Sequence, residues 1–208
     1  MNELNEHTWT PWIVQGGLFM SKNAVILVET ALIAALAMVL SMIPDFASWF
    51  TPSFGAIPLV LFALRRGSKF GVLAGFLWGL LHFLLAKVYY LTLSQVFLEY
   101  ILAFFCMGLA GITKQPFQTA LKNGNKLKAL LFAILGAFIA IFTRYVCHYI
   151  AGFLFWGSYA PKGMSPFWYS FTVNGSAGLL TFLVVILILV FLVISQPQLF
   201  LPAEKKNI

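Results

Sequence analysis

The sequence predicts an all-α, polytopic membrane protein of six transmembrane helices with both termini in the cytoplasm. Three observations carry that reading. Of 208 residues, 61% are hydrophobic and only 9% are charged, whereas a soluble domain carries about 25% charged residues; the apolar surplus calls for a bilayer as solvent. The apolar residues fall into six runs separated by short polar loops, and spanning takes about 20 such residues per helix. The basic residues gather on alternate loops, as the positive-inside rule requires.

Residues 1–20 contain Glu3 and Glu6 but neither a basic cluster nor a small-residue cleavage site, so they read as a cytoplasmic extension rather than a secretory signal. Ser21-Lys22-Asn23 is a natural polar lead into the first helix, which points to Met20 as a translation start. The six-helix membrane domain is placed at 21–195 and a cytoplasmic tail at 196–208. The first run covers about 24–43 and carries Ala31 and Ala35 on one face, with Glu29 near its cytoplasmic end, where a solvated or interfacial carboxylate is expected. The second, about 56–66, is too short to span upright, yet Ile57-Pro58-Leu59-Val60-Leu61-Phe62-Ala63-Leu64 must be buried; it tilts or packs as a partial helix. The third, about 69–87, follows Gly67 and has Gly71, Gly75 and Gly79 at a spacing of four, a face that lets another helix backbone approach closely. Architecture is the simpler use of that face, and a sliding or dimerising surface is the alternative. The fourth run covers about 91–112. The fifth, about 127–152, carries Ala129, Ala133 and Ala137, and the sixth covers about 168–194. No internal repeat or low-complexity segment is visible.

Ten basic residues lie on one side: Lys22, Arg65, Arg66, Lys69, Lys114, Lys122, Lys126, Lys128, Lys205 and Lys206. Lys87 and Lys162 lie on the other, and Arg144 is within a helix. The net charge of +7 is therefore a topology signal, and nucleic-acid binding is excluded as its purpose. Cys106 and Cys147 sit in apolar runs without CxxC or metal-ligand spacing, so they read as small core residues, and no metal or cofactor is expected.

Polar residues inside greasy helices are costly and mark cavities or pathways. Here they are Glu99, Arg144, His148 and Asn174. At a rise of about 1.5 Å per residue, Glu99 lies about 12 Å, Asn174 about 9 Å and His148 about 6 Å in from the outer ends of their helices. Arg144, His148 and Gly152 fall four apart on one stripe that Trp156 extends towards the mouth. One reading is structural: an internal Glu99–Arg144 ion pair, with His148 and Asn174 hydrogen-bonded to hold helices together. The other is a binding site, because Trp49, Tyr89, Tyr100, Trp156 and Tyr169 lie at the same level. A carboxylate among rings suits a flat organic cation, with a cation–π contact worth up to about 2 kcal/mol when desolvated. His148 and Asn174 would then offer directional hydrogen bonds to a heterocycle.

The order Tyr89 … Ser94-Gln95-Val96-Phe97-Leu98-Glu99-Tyr100 … Arg144-Tyr145-Val146-Cys147-His148 … Gly152-Phe153-Leu154-Phe155-Trp156 … Tyr169-Ser170-Phe171-Thr172-Val173-Asn174-Gly175 resembles the thiamine-specific S components of energy-coupling factor (ECF) vitamin transporters. The resemblance runs from about Met20 to about Val193 and includes Leu64-Arg65-Arg66-Gly67. It implies a membrane subunit, with no enzymatic activity of its own, that captures thiamine outside the cell. Its partners would be an ECF module of a transmembrane coupling protein and two cytoplasmic ATPases. By position, the resemblance implies that Glu99 meets the thiamine cation, His148 supports carboxylate and ligand, and Trp156 stacks on a ring. It places Tyr89, Tyr100, Gly152, Tyr169 and Asn174 around them, with Trp49 as a cap from the loop after helix 1. Two positions depart from the family pattern. Arg144 stands where lysine is found, and the two cations differ in geometry. The small-residue face of helix 1 implied as the coupling-protein contact matches at Ala31 and Ala35 but meets Val39 one turn later.

Two competitors are weighed against that reading. An ion-coupled secondary transporter would need a coupling site, yet only Glu29, Asp45 and Glu99 are acidic in or near the membrane, and no two-halves repeat is evident. An intramembrane serine protease would use Ser176 and His148, which leaves Glu99 without a role. No Walker A loop is present, so active transport would draw its energy from a partner.

Overall fold

A computed structural model describes residues 22–43 and 51–202. Among them the secondary structure is helical throughout, with six main helices. α1 is Lys22–Leu40, α2 Ala56–Arg66 and α3 Ser68–Leu84. α4 runs over Leu93–Lys122, α5 over Lys126–Phe155 and α6 over Pro166–Ser195. α1, α4, α5 and α6 are each long and apolar enough to cross a membrane. The six expected segments are all present, with shifted ends. α4 extends ten residues past its expected limit at 112, because Lys114–Lys122 continues as an amphipathic helix that buries Phe117 and Ala120. The expectations for residues 1–20 and for Trp49 and Asp45 lie outside the described residues.

α2 explains the rest of the bundle. Its 11 residues rise only about 16 Å, roughly half of a 30 Å hydrocarbon core. It is nonetheless the most enclosed helix: Ala56, Leu59, Val60, Ala63 and Leu64 are fully buried. The segment leading into it is anchored at mid-bundle, where Ser53 N donates to Thr181 Oγ1 (2.9 Å) and Arg144 Nη1 donates to Ser53 Oγ (3.0 Å). From there α2 descends to the end of the molecule that carries the basic residues. It therefore fills one half of the bundle and leaves the other half to side chains from α4, α5 and α6.

The basic end is tied together by specific bonds. Arg66 grips Glu29 with two bonds of 2.5 and 2.6 Å, and Arg65 lies 3.9 Å from the same carboxylate. Of the two expectations for Glu29, the interfacial one fits: it is a part-exposed, ion-paired link between α1 and α2, because both arginines belong to the last turn of α2 and not to a loop. Arg65 Nη1 also donates to the carbonyls of Leu199 and Leu201 (2.7 and 2.9 Å). Gln118 Nε2 donates to Leu64, Arg65 and Phe200 carbonyls, so the chain after α6 folds back beneath α2.

The glycine face of α3 is architectural. A Cβ on Gly75 would strike the Phe104 carbonyl, one on Gly79 the Tyr100 carbonyl, and one on Gly71 the Cα of Gly108 at 2.9 Å. That face is occupied by α4 and is unavailable for sliding or dimerisation. Gly67, at φ 93°, makes the break between α2 and α3 that an L-residue would resist. Ala129, Ala133 and Ala137 do the same packing work for α5, all fully buried. In contrast, Ala31 and Ala35 lie on the exposed face of α1 beside Leu32 and Leu36.

Candidate functional site

The site is built at the end opposite the basic cluster, where α4 departs from regular geometry. Thr92 caps α4 by accepting from Gln95 N (3.1 Å). After one α-helical turn the chain widens into a π-helical stretch, Phe97–Leu102, in which Ala103 N–H bonds to Leu98 O, five residues back. Single π turns inside α-helices recur at functional sites, and this one carries Glu99 and Tyr100.

Glu99 is half-buried. Its Oε1 accepts from Trp156 Nε1 at 2.8 Å and its Oε2 from Gln95 Nε2. Both partners are neutral. Among the described residues the ion pairs are those of Glu29 with Arg65 and Arg66, so the internal Glu99–Arg144 pair does not form. Of the expected rings, Trp156 reaches the carboxylate and Tyr89 reaches Trp156. Tyr89 meets Trp156 edge-on (centroids 6.2 Å, 87°), and Trp156 meets Tyr159 at 5.5 Å. Tyr100 OH accepts from Tyr89 N (3.0 Å), fixing the strand of chain between α3 and α4 to the π turn. Tyr89 itself is largely exposed at the rim.

Arg144 is buried on the same α5 stripe and makes no ion pair with Glu99. Its guanidinium lies 4.8 Å from the Trp78 ring, 4.9 Å from Phe104 and 5.5 Å from Tyr145, a cage in which cation–π attraction replaces part of the lost hydration. Besides holding Ser53, it donates from Nε to His148 Nε2 at 3.4 Å. An arginine has no acceptor to offer, so His148 Nε2 is the acceptor and the ring carries its proton on Nδ1. His148 is thus oriented by Arg144 rather than by the carboxylate. Tyr145 OH donates to Thr181 Oγ1 (2.9 Å), closing this lower layer against α6.

Further along the α5 stripe, α5 and α6 cross closely. Gly152 allows it: a Cβ there would strike Ser170 Oγ and sit 2.8 Å from Asn174 Nδ2. Ser170 Oγ donates to Tyr149 O (2.7 Å), and Asn174 Nδ2 donates to Ser170 O and Oγ (3.2 and 3.1 Å). Tyr169 is half-buried one residue before this contact. Asn174 also borders a separate apolar groove of about 910 Å³ between α5 and α6, lined by Phe138, Phe142, Tyr149, Phe171 and Phe182 among others. Glu99, His148 and Trp156 do not line that groove. Its character is that of a lipid-facing surface.

The geometry therefore unites Glu99, Trp156, Tyr89 and Tyr100 in one layer, and Arg144 with His148 in the layer below. Gly152 and Asn174 meet beside Ser170 at the α5–α6 crossing. Ser176 and His148 do not meet: Ser176 Oγ donates back to the Thr172 and Val173 carbonyls of its own helix, as serines in helices commonly do. Among the described residues no three His, Cys, Asp or Glu side chains gather as a metal site would need. Sequence reasoning gave no role to Gln95, Ser53, Ser170, Trp78 or Phe104. For Gln95 a signal existed, since Thr92-Leu93-Ser94-Gln95 has the spacing of a capping box.

The profile of the family described as Thiamine transporter protein (Thia_YuaJ) matches residues 27–201. The chain is 39% identical to the thiamine transporter ThiT of Lacticaseibacillus paracasei over 191 residues, covering 89% of this chain and 95% of that protein. It is 32% identical to ThiT of Bacillus subtilis over 186 residues, covering 86% and 95%. The solved structure of ThiT from Listeria monocytogenes superposes with a TM-score of 0.84 at 43% identity, covering 88% of this chain and all of that one.

Proposed function

This chain belongs to the thiamine transporter protein family, and on that premise we propose that it is the thiamine-binding membrane subunit of an ECF-type importer, taking the vitamin from outside the cell. The observation that carries the proposal is the state of Glu99. It is a half-buried carboxylate whose oxygens are held by the neutral donors Trp156 Nε1 and Gln95 Nε2, within a layer of aromatic rings. A carboxylate in that setting has hydrogen-bond donors but no cationic partner among the described residues, and the thiazolium of thiamine is a flat cation that would supply one. Trp156 and Tyr89 supply ring faces for the heterocycles, while His148 and Asn174 supply polar atoms for the aminopyrimidine. Tyr100, Tyr169 and Gly152 shape the walls, and Arg144 holds His148 in place from below. Trp49 is assigned to the cap.

The basic end faces the cytoplasm in this reading, so both termini are cytoplasmic and the site opens outward. The membrane domain is 21–195, flanked by an N-terminal extension and a short tail. The chain has no enzymatic activity. Its energy comes from an ECF module of a coupling protein and two ATPases, which it meets through the exposed Ala31 and Ala35 face of α1. Release inward follows a toppling of the whole subunit in the membrane.

Mass spectrometry of small molecules released from the purified protein tests the reading. Co-purifying thiamine, displaced stoichiometrically by added thiamine, is the expected result. Protein that releases no thiamine and shows no tryptophan-fluorescence response to it would refute the proposal.

A further inference from the structure

Gln95 stands out as a fully buried polar side chain that links two parts of the site. It has no exposed surface; both protons of its amide are donated and its oxygen accepts one bond. Its Oε1 accepts from Leu91 N (3.2 Å), and its Nε2 donates both to Tyr89 O (3.0 Å) and to Glu99 Oε2. Those partners settle which end of the amide is which. Turned over, the carbonyl oxygen would face two acceptors and the NH2 would face a donor, so only one orientation is viable. In an ordinary capping box the glutamine reaches back to the backbone of the capping residue itself. Here it reaches past Thr92 to Leu91 and Tyr89, and spends its remaining proton on the carboxylate one turn ahead.

We infer that Gln95 is a positioning residue for thiamine recognition, aiming the Glu99 carboxylate and tying it to the Tyr89 segment so that charge partner and rim aromatic move as one unit. The inference rests on the proposed role of Glu99. It assigns Gln95 no contact with the vitamin; its effect is exerted through Glu99 and Tyr89. Glu99 Oε1 is left to Trp156, and the carboxylate plane is fixed by donors on both oxygens. Without Gln95, one oxygen loses its donor, the side chain regains rotamer freedom, and the 89–91 segment loses two anchors.

A double-mutant cycle tests this on the full-length protein in detergent, with thiamine as the titrant and tryptophan fluorescence as the readout. Gln95→Met should weaken thiamine binding by tenfold or more in the wild-type background and by at least fivefold less when Glu99→Gln is already present, where only the Tyr89 and Leu91 anchors remain to be lost. A merely structural role would weaken both backgrounds equally, and that result would overturn the inference. So would wild-type affinity in Gln95→Met while Glu99→Gln binds poorly. Wild-type affinity in Glu99→Gln would instead remove Glu99 as charge partner, and this inference with it. Should Gln95→Met not fold, Gln95→Asn gives the same cycle, because it keeps an amide at the position but ends one methylene short of Glu99.

Discussion

Glu99→Gln is the sharpest probe of the site, since it changes one atom and removes one charge. In the unliganded protein the carboxylate accepts from Trp156 Nε1 at 2.8 Å and from Gln95 Nε2. A glutamine can still accept from one of them through its carbonyl. Its NH2 must then face the other donor, so one hydrogen bond is lost, costing about 1–3 kcal/mol of stability. Thiamine binding loses more. A cation about 4 Å from the carboxylate gains about 4 kcal/mol at an effective dielectric constant of about 20, part of which is spent on desolvating the pair. A net loss of about 3–4 kcal/mol corresponds to roughly 10²–10³-fold in Kd at 1.4 kcal/mol per decade. Fluorescence titration of purified wild type and variant measures the ratio, and thermal unfolding reports the stability term separately. A variant that binds thiamine within threefold of wild type would refute the assignment of Glu99 as the charge partner.

Three other substitutions probe the surrounding walls. Gly152→Ala places a methyl group against Ser170 and Asn174; it should cost about 1–3 kcal/mol as overpacking and weaken thiamine binding, and an unchanged Kd would show that this wall is not part of the site. Arg144→Met removes the donors to Ser53 and His148 and should lower unfolding stability by about 2–3 kcal/mol, whereas Arg144→Lys, which keeps the charge, should cost about 1 kcal/mol. Equal losses in the two would show that the cation is irrelevant. Ala35→Trp adds bulk on an exposed face, so thiamine binding and thermal unfolding should match wild type while cellular uptake is lost; normal uptake would remove α1 from the docking role.

Much of this was legible in the sequence because membrane solvation leaves large signals. Six apolar runs, a short second run and a glycine face at four-residue spacing correspond to α1–α6, the half-length α2 and the α3–α4 contact. Glu99, Trp156 and Tyr89 come together as their level in the membrane suggested. The partner of Arg144 was not legible. Depth and helix face were compatible with Glu99, but the rings of Trp78 and Phe104 offer a cage on the other side, and only the packing of α3 against α4 decides between them. The length of α4 was hidden for a similar reason: the polar stretch Lys114–Lys122 reads as a loop until Phe117 finds Phe200, 5.0 Å away between ring centroids. The π-helical turn has no sequence signature of its own. It stands where Gly79 brings α3 against the Tyr100 carbonyl.

The short, enclosed α2 has one more implication. Below Arg144 the bundle is solid, with Leu59, Val60 and Leu64 wholly covered and the returning segment of Leu199 and Leu201 clamped across the bottom by Arg65. The half of the bundle that carries the basic residues is thus a plug of covered apolar side chains. Under the proposed function, a vitamin held at Glu99 would reach the far side by movement of the subunit as a whole, since the route through that plug is closed by packing.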